Sequence, residues 1–373
     1  MKLTIVQGAF FPVPPLMGGA LEKIWFGLGK EFARRGHQVT HISRSYGVLA
    51  QDEMLEGVRY LRVPGFNTPQ SLILLKFLDL LYSLRVMRVL PEADILITNT
   101  FWLPILVRNK KYGSLYVHVA RYPKGQMRYY RHADRLQTVS SPIANAILQE
   151  VPQSKSKIHF IPNPLPDTIE KDITQLSFNR EKTILYVGRI HPEKGIELLV
   201  NAFKELIGYG IKDWKLVIVG PWETKFGGGG EAYYKHLKEQ SQHSRQIEWV
   251  GSVFEPLKLQ SYYRKAGLFT YPSLAEKGET FGLAVLEAMA YGCPSLVSDL
   301  KCFKDYIEDG VNGFIFNHKA KNPTATLAEK FKELINKQDQ LIQIGLSGYK
   351  KAQDYTTPRI ADLYMSDFET LKL

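Results

Sequence analysis

Glu279-Thr280-Phe281-Gly282-Leu283-Ala284-Val285-Leu286-Glu287 places two carboxylates eight positions apart around a Phe-Gly pair that opens an apolar run. The pattern predicts a helix from Phe281 to Tyr291, stopped by Gly292 and Pro294, the residue types that commonly end helices. The first amides of such a helix, on Phe281, Gly282 and Leu283, have no partners a turn back, which makes its start an anion site. If a helical rise of about 1.5 Å per residue holds throughout, the carboxylates stand roughly 12 Å apart, enough to flank a diphosphate. Ionised carboxylates only accept hydrogen bonds, and vicinal sugar hydroxyls donate them. The stretch therefore predicts a nucleotide sugar, with diphosphate on the helix start, Glu287 on the ribose and Glu279 on the transferred sugar. An acid-rich helix start that merely complements the dipole accounts for the same residues equally well. A glycosidase pair fits less well, because those carboxyls face one bond from roughly 5 to 9.5 Å apart.

Around this stretch the second half of the chain alternates strand and helix. Strands are predicted at Thr183–Val187, Lys215–Val219, Ile247–Val250, Leu268–Tyr271, Ser295–Val297 and Phe314–Phe316. Helices are predicted at Gly195–Ile207, Ala325–Asn336, Asp339–Gln353 and from Pro358 onward. The first half shows the same rhythm, with strands at Leu3–Val6, Gln38–Ile42, Val58–Val63, Ile95–Thr98, Ser114–His118, Gln137–Val139 and Ile158–Ile161. Its helices are Ala20–Arg35, Leu72–Val89 and Ile143–Gln149. Repeated βα units with apolar strands argue for parallel sheets covered on both faces. Pro162-Asn-Pro-Leu-Pro166 and the polar residues to Lys182 break the rhythm and read as a linker. The expected fold is α/β, two doubly wound domains facing a cleft, since ligands of open α/β sheets lie beyond the carboxyl ends of strands.

Loops after those strands carry the candidate chemistry. Gly188-Arg189-Ile-His-Pro-Glu-Lys194-Gly195 follows one strand and leads into a helix. Arg189, through its planar fork, and Lys194, as a point charge, can neutralise a diphosphate, although a surface turn has the same composition. In the first half, Gly18-Gly19 lets backbone approach a phosphate at a helix start. Glu22, in that helix's first turn, can be simply a dipole partner. His118 ends a strand, where a cleft position and a locally satisfied histidine are both open. Arg121 to Arg131 mixes cations with aromatics, as an acceptor groove, a lipid-facing loop or a solvated one would. Gly227–Gly230 reads as a mobile loop without chemistry. No GxGxxG, P-loop or Asp-x-Asp occurs, so the cations would stand in for a metal ion.

Composition narrows the classes. A chain of 373 residues, 45% hydrophobic and 23% charged, suits a soluble protein of two domains. Cys293 and Cys302 are too few for a disulfide framework and lack metal-site spacing. Residues 1–165 hold 21 Lys+Arg against 10 Asp+Glu, net +11, and the other 208 residues hold 27 of each. That asymmetry points to an anionic partner of the first half, or to solubility alone. The opening strand reaches Gln7-Gly8 too soon for a signal peptide, and no apolar run approaches a membrane span. A cytoplasmic protein is expected, peripheral at the inner membrane face if lipid is the anionic partner.

The ordered set of Gly18-Gly19-Ala-Leu-Glu22, Gly36-His37-Gln-Val39, Phe160-Ile-Pro-Asn163, Tyr186-Val-Gly-Arg189 to Lys194-Gly195, Val250-Gly251-Ser-Val253 and Glu279 to Glu287 resembles the family-4 retaining glycosyltransferases of the GT-B fold. The resemblance implies two Rossmann-like domains: an acceptor-binding one over 1–165 with a returning terminal helix 357–373, and a donor-binding one over 166–356. It implies that Arg189 and Lys194 grip the diphosphate, Glu287 the ribose, and Glu279 with the Phe281, Gly282 and Leu283 backbone the sugar and phosphate. It also puts Gly188 by the donor, Ser252 and Val253 on the base, Gly18 and Gly19 near the phosphates, and His118 near sugar and acceptor. Departures lie at the glycine-rich Trp222–Gly230 loop and at Pro164-Leu165, where Gly-Val is usual. The expected activity is transfer of a hexose, glucose from UDP-glucose by family habit, to a lipid-linked or polysaccharide acceptor, without metal or other cofactor. A sugar-nucleotide epimerase, a disaccharide phosphorylase or synthase of the same fold, and a non-catalytic sugar-nucleotide-binding protein are the alternatives. Nucleic acid is not an expected partner, because the cations follow no recognised binding motif.

Overall fold

The computed structural model describes residues 1–69, 71–166 and 180–372. The chain divides into two compact units, Met1–Asp167 with Tyr355–Leu373, and Thr168–Asp354. Most of the expected linker, residues 167–179, lies outside the described residues.

The first unit runs β1 (Lys2–Val6), α1 (Ala20–Arg34), β2 (Gln38–Arg44), β3 (Asp52–Leu55), β4 (Val58–Val63), α2 (Leu72–Val89), β5 (Ile95–Thr98), α3 (Leu103–Leu106), β6 (Ser114–Val119), β7 (Arg135–Thr138), α4 (Ser141–Glu150) and β8 (Ile158–Phe160). Its sheet has the order β3-β4-β2-β1-β5-β6-β7-β8. The pairs are parallel except β3 with β4. Central strands such as β5 are buried along their whole length, as a parallel sheet covered on both faces requires. Strand β3 escapes the sequence reading because its side chains are largely exposed and show no apolar alternation. It is formed instead by the Glu56-Gly57 turn, both residues with positive φ, in the manner of tight hairpins.

The second unit runs β9 (Glu181–Val187), α5 (Ile196–Gly208), β10 (Lys215–Val219), α6 (Glu231–Ser241), β11 (Ile247–Gly251), α7 (Pro256–Lys265), β12 (Ala266–Tyr271), α8 (Leu283–Ala290), β13 (Ser295–Ser298), β14 (Phe314–Phe316), α9 (Pro323–Ile335) and α10 (Gln338–Ala352). Its sheet is parallel, ordered β11-β10-β9-β12-β13-β14. Helices α6 and α7 are absent from the sequence reading for a common reason. Each buries very little, Leu237 and Ser241 in one and Tyr263 in the other, and each is polar over most of its length, so its narrow apolar face is easily overlooked.

The terminal helix α11 (Thr357–Glu369) packs in the first unit. Tyr364 lies 5.2 Å from the Trp25 ring of α1, and Phe368 lies 5.9 Å from Phe32 and 5.0 Å from Tyr116. Each such ring contributes about 1.5–3 kcal/mol by leaving water. Arg35 adds a bond to the Pro358 carbonyl at 2.7 Å, which fixes the start of α11 against the end of α1.

Candidate active site

In the second unit three neighbouring strands end on glycine: β9 before Gly188, β10 before Gly220, and β11 at Gly251. Gly188 N–H donates to Val219 O at 3.0 Å and Gly220 N–H to Gly251 O at 2.8 Å, which ties the strand ends together across a shift in the β10–β11 register at Ile218/Val219. A Cβ on Gly220 would fall 1.8 Å from Gly188 O, so this shelf admits no side chain there. Ser252 and Val253 continue from Gly251 along the same edge.

Beyond Gly188, Arg189 leaves the edge half-exposed. Its Nη1 donates to Gly227 O at 2.6 Å and its Nη2 lies 2.9 Å from Glu193 Oε1. The Tyr186 hydroxyl donates to the Arg189 carbonyl at 3.0 Å and steadies the turn from beneath. The glycine loop, expected from its composition to be mobile, is hydrogen-bonded along its length. Gly228 N–H donates to Glu223 O, Gly229 N–H to Ile190 O and Gly230 N–H to Trp222 O. Trp222 stacks on Tyr234 with ring centroids 5.1 Å apart. The glycines serve packing there: a Cβ on Gly228 would stand 2.2 Å from the Trp222 backbone.

Lys194 and Glu279 are both buried, with Nζ 2.7 Å from Oε2. The ammonium also lies 5.6 Å from the centroid of Tyr271, which stacks on Tyr186 at 5.7 Å. Burial first, then the negative charge of Glu279, holds the Tyr271 phenol well above its ordinary range, with a hydrogen bond to Glu279 adding to the effect. Gly195 turns the chain into α5 with φ +69°, and a Cβ there would fall 2.1 Å from Pro272 O. That close approach is what brings Lys194 against the segment carrying Glu279.

The helix after Glu279 is shorter than the periodicity predicts. Gly282 adopts left-handed backbone (φ 79°, ψ 56°), so α8 starts at Leu283, and Ala290 ends it. A Cβ on Gly282 would meet the Phe303 ring at 2.4 Å. The Tyr306 hydroxyl reaches the Phe281 and Gly282 carbonyls at 2.9 and 3.2 Å. Residues 279–282 are therefore not helical, and a separation of the two carboxylates reckoned from helical rise does not apply. Glu287, half-buried on α8, accepts the Tyr263 hydroxyl at 2.9 Å. Arg189, Lys194 and Glu279 thus converge through Tyr186 and Tyr271, and Tyr271 lies 6.1 Å from the Phe303 ring beneath Gly282, while Glu287 is held by Tyr263.

The first unit carries the other candidates. Gly18 and Gly19 have φ of 78° and 93° and lead into α1. The space over Gly19 is taken by the Glu22 carboxylate, 2.1 Å from where a Cβ would sit. Burial raises the pKa of Glu22, although its own amide and the charge of Arg121 pull it down. His118 is buried in β6, its Nδ1 on Gln137 Oε1 and its ring edge-on to Trp25 at 5.3 Å. Burial lowers its pKa to about 4, so the imidazole is neutral at pH 7. Among the described residues no group of His, Cys, Asp and Glu is placed to hold a metal. Tyr271, Tyr186, Glu193 and Tyr263 are the neighbours to which the sequence assigns no role. Tyr186 and Glu193 stand inside the Tyr186–Lys194 segment and Tyr271 closes a strand, whereas Tyr263 has no local signal.

The family model described as Glycosyltransferase Family 4 matches residues 18–168, and that described as Glycosyl transferases group 1 matches residues 168–351. The chain belongs to the family 4, group 1 glycosyltransferases. This glycosyltransferase is 24% identical to spore coat protein SA of Bacillus subtilis over 392 residues, covering 99% of each chain. Sucrose-phosphate synthase from Thermosynechococcus elongatus superposes with a TM-score of 0.81 at 18% identity, covering 100% of this chain and 99% of that one. The Anabaena HepE protein, solved with UDP and glucose, superposes with a TM-score of 0.73 at 19% identity, covering all of both chains. The likeness establishes the GT-B type of fold, with two Rossmann-like domains.

Proposed function

We propose that this glycosyltransferase moves a hexose, glucose from UDP-glucose, to a lipid-linked or polysaccharide acceptor at the cytoplasmic membrane face, with retention of configuration and without a metal ion. The observation that carries the reading is the buried Lys194–Glu279 pair beside Arg189 and the first turn of α8. A diphosphate needs fixed positive charge as it leaves, and a buried ammonium supplies it with little reorganisation. Lys194 has three donors, so it can hold Glu279 and a phosphate oxygen together. Glu279 would accept a sugar hydroxyl with its second oxygen, Glu287 would accept from the ribose, and Ser252 and Val253 backbone would meet the base. Gly188 and the amides of Phe281, Gly282 and Leu283 complete the donor side, and Gly18, Gly19 and His118 serve phosphate and acceptor from their own unit.

In the reaction the bond from anomeric carbon to diphosphate oxygen breaks as the acceptor oxygen bonds to that carbon on the same face. The acceptor proton passes to the departing phosphate. UDP and glucose are supported as donor parts by the Anabaena neighbour, and polysaccharide acceptors by a 29%-identical match to a Staphylococcus aureus capsular polysaccharide glycosyltransferase over 49% of this chain.

The test is a screen of UDP- and GDP-sugars for thermal stabilisation and slow hydrolysis. At about 100 times Kd a true donor adds roughly 2.7 kcal/mol of stability. Stabilisation by GDP-sugars alone would overturn the choice of base, and loss of hydrolysis in EDTA would overturn metal independence.

A further inference from the structure

Helix α2 is apolar on the side that faces water. Its inward face is built of Asp79, Tyr82, Ser83 and Val86. Asp79 Oδ2 accepts the amides of Phe101 and Trp102 at 3.1 and 3.2 Å and so latches that turn to the helix. At about 100° per residue, Ile73, Phe77, Leu80 and Leu84 form one stripe opposite Tyr82 and Val86. Along it Ile73 is 84% exposed, Phe77 53% and Leu84 44%, and Leu72 and Leu74 extend the patch over the first turn. A surface helix ordinarily turns charged residues to this side. Contiguous exposed apolar surface of this kind marks a binding face.

Its surroundings say which partner fits. Lys76 Nζ lies 4.7 Å from the Phe101 ring centroid, and Trp102 Nε1 donates to Lys76 O at 2.7 Å. The Tyr130 hydroxyl reaches Phe101 O at 3.1 Å, and next to it Arg128 stands 5.1 Å from the ring of exposed Tyr129. Arg88 is exposed at the far end of the helix. Cations interleaved with Trp, Phe and Tyr beside an apolar ridge suit a lipid interface, where aromatic rings sit at headgroup level and Lys and Arg meet anionic lipid. The whole chain's excess of +11 sits in residues 1–165, so a second copy would bring like charges together, whereas anionic headgroups neutralise them. No helix among the described residues is long and apolar enough to cross a membrane, so α2 can lie only along one.

We infer that the outer face of α2, with the Phe101–Trp102 and Arg128–Tyr129 turns beside it, docks on an anionic lipid surface. The inference deepens the proposed function by naming the side on which a membrane acceptor is met, but it is read without turnover.

Full-length protein is incubated with phosphatidylcholine vesicles, pure or mixed with phosphatidylglycerol, and sedimented. Binding to the mixed vesicles alone is expected, with a blue shift and brominated-lipid quenching that vanish in Trp102→Phe. Ile73→Ser/Phe77→Ser/Leu84→Ser lowers partitioning at least about tenfold, since it removes three exposed apolar side chains that would leave water on docking. The same variant keeps its melting temperature and its donor hydrolysis. Equal binding to neutral vesicles, or undiminished binding of the variant, overturns the proposal. A dimer in light scattering that this variant dissolves overturns it too, by showing a second copy on the face. Loss of donor hydrolysis in the unaltered protein would instead remove the transfer reading and leave this one standing.

Discussion

Asp367 in the first unit and Glu279 in the second are both buried carboxylates, and they are used in opposite ways. Asp367 takes the Tyr116 hydroxyl at 2.8 Å, Arg135 at 2.9 Å and His159 at 2.8 Å, joining α11 to β6, β7 and β8. All of those partners stand on strands of the same sheet. Glu279 holds one cation, Lys194, in a pair that closes two loops beside the start of α8. A buried charge saturated by fixed partners is architecture. One that shares a cation with the space next to it can change partners when a ligand arrives.

The sharpest way to break this contrast is to remove Lys194. Lys194→Ala leaves Glu279 buried without its cation, which costs about 3–5 kcal/mol, and transfer falls by about 10²–10³-fold through lost electrostatic stabilisation. The two effects separate in Lys194→Met/Glu279→Leu. That double variant regains most of the stability, because an apolar pair of similar volume replaces the ion pair, yet it stays inactive. Denaturant titration and initial rates of UDP release check both halves. Full transfer by the double variant, or by Arg189→Ala/Lys194→Ala, would end the diphosphate assignment.

Asp367→Asn probes the other member. Arg135 is buried and keeps its charge, so stability falls by about 3 kcal/mol, again as an orphaned buried charge. The folded fraction retains its rate at low temperature. A fall in kcat at unchanged folding would mean that the Asp367 cluster is more than architecture.

The contrast also shows what could be read from sequence. The alternating units, and the order of the Arg189–Lys194 and Glu279–Glu287 segments, are local patterns with period and punctuation. The pairing of Lys194 with Glu279 spans 85 residues and depends on Gly195 lying against Pro272, which no window of sequence contains. The apolar run continues through Phe281 and Gly282, so the periodicity starts α8 two residues too early. The steric demand of Phe303 against Gly282 is a tertiary fact that overrides it. Helices α6 and α7 bury few side chains, so their apolar periodicity is carried by too few residues to stand out from a polar background.

Acid sharpens the comparison by loading the first unit. Burial lowers the pKa of His41 to about 3 and of His118 to about 4, so both stay neutral in the fold while their unfolded forms protonate near 6.5. Their stabilisation is present above pH 6.5 and is lost as pH falls toward those values. Asp79 works in reverse: burial raises it to about 6, so between about 6 and 3.8 the fold takes up the proton first and gains stability. Near pH 5 these three groups leave unfolding with a net uptake of about one proton, a loss of roughly 1.4 kcal/mol per pH unit. Urea midpoints from pH 7 to 4.5 measure it. His118→Gln should remove about one proton of the dependence, and an unchanged slope would show that the imidazole is not held neutral.

The smallest effect lies within one loop, where two ion pairs of the second unit stand side by side. Arg189 and Glu193 meet at 2.9 Å but remain 41% and 34% exposed, whereas the side chains of Lys194 and Glu279 are 6% and 8% exposed. Water screens the outer pair and long side chains lose entropy to form it, so its coupling should be about 0.2–1 kcal/mol. A double-mutant cycle on Arg189→Met and Glu193→Gln, read by denaturant stability, measures that number directly. The matching cycle on Lys194 and Glu279 should give several times more, because its single variants each strand a buried charge. Glu193→Gln alone should leave kcat within about fivefold and move only the donor KM, since Gly227 O still holds the Arg189 guanidinium. Equal coupling in the two cycles would mean that burial does not set the two pairs apart, and the inner pair would lose its claim to be the working one.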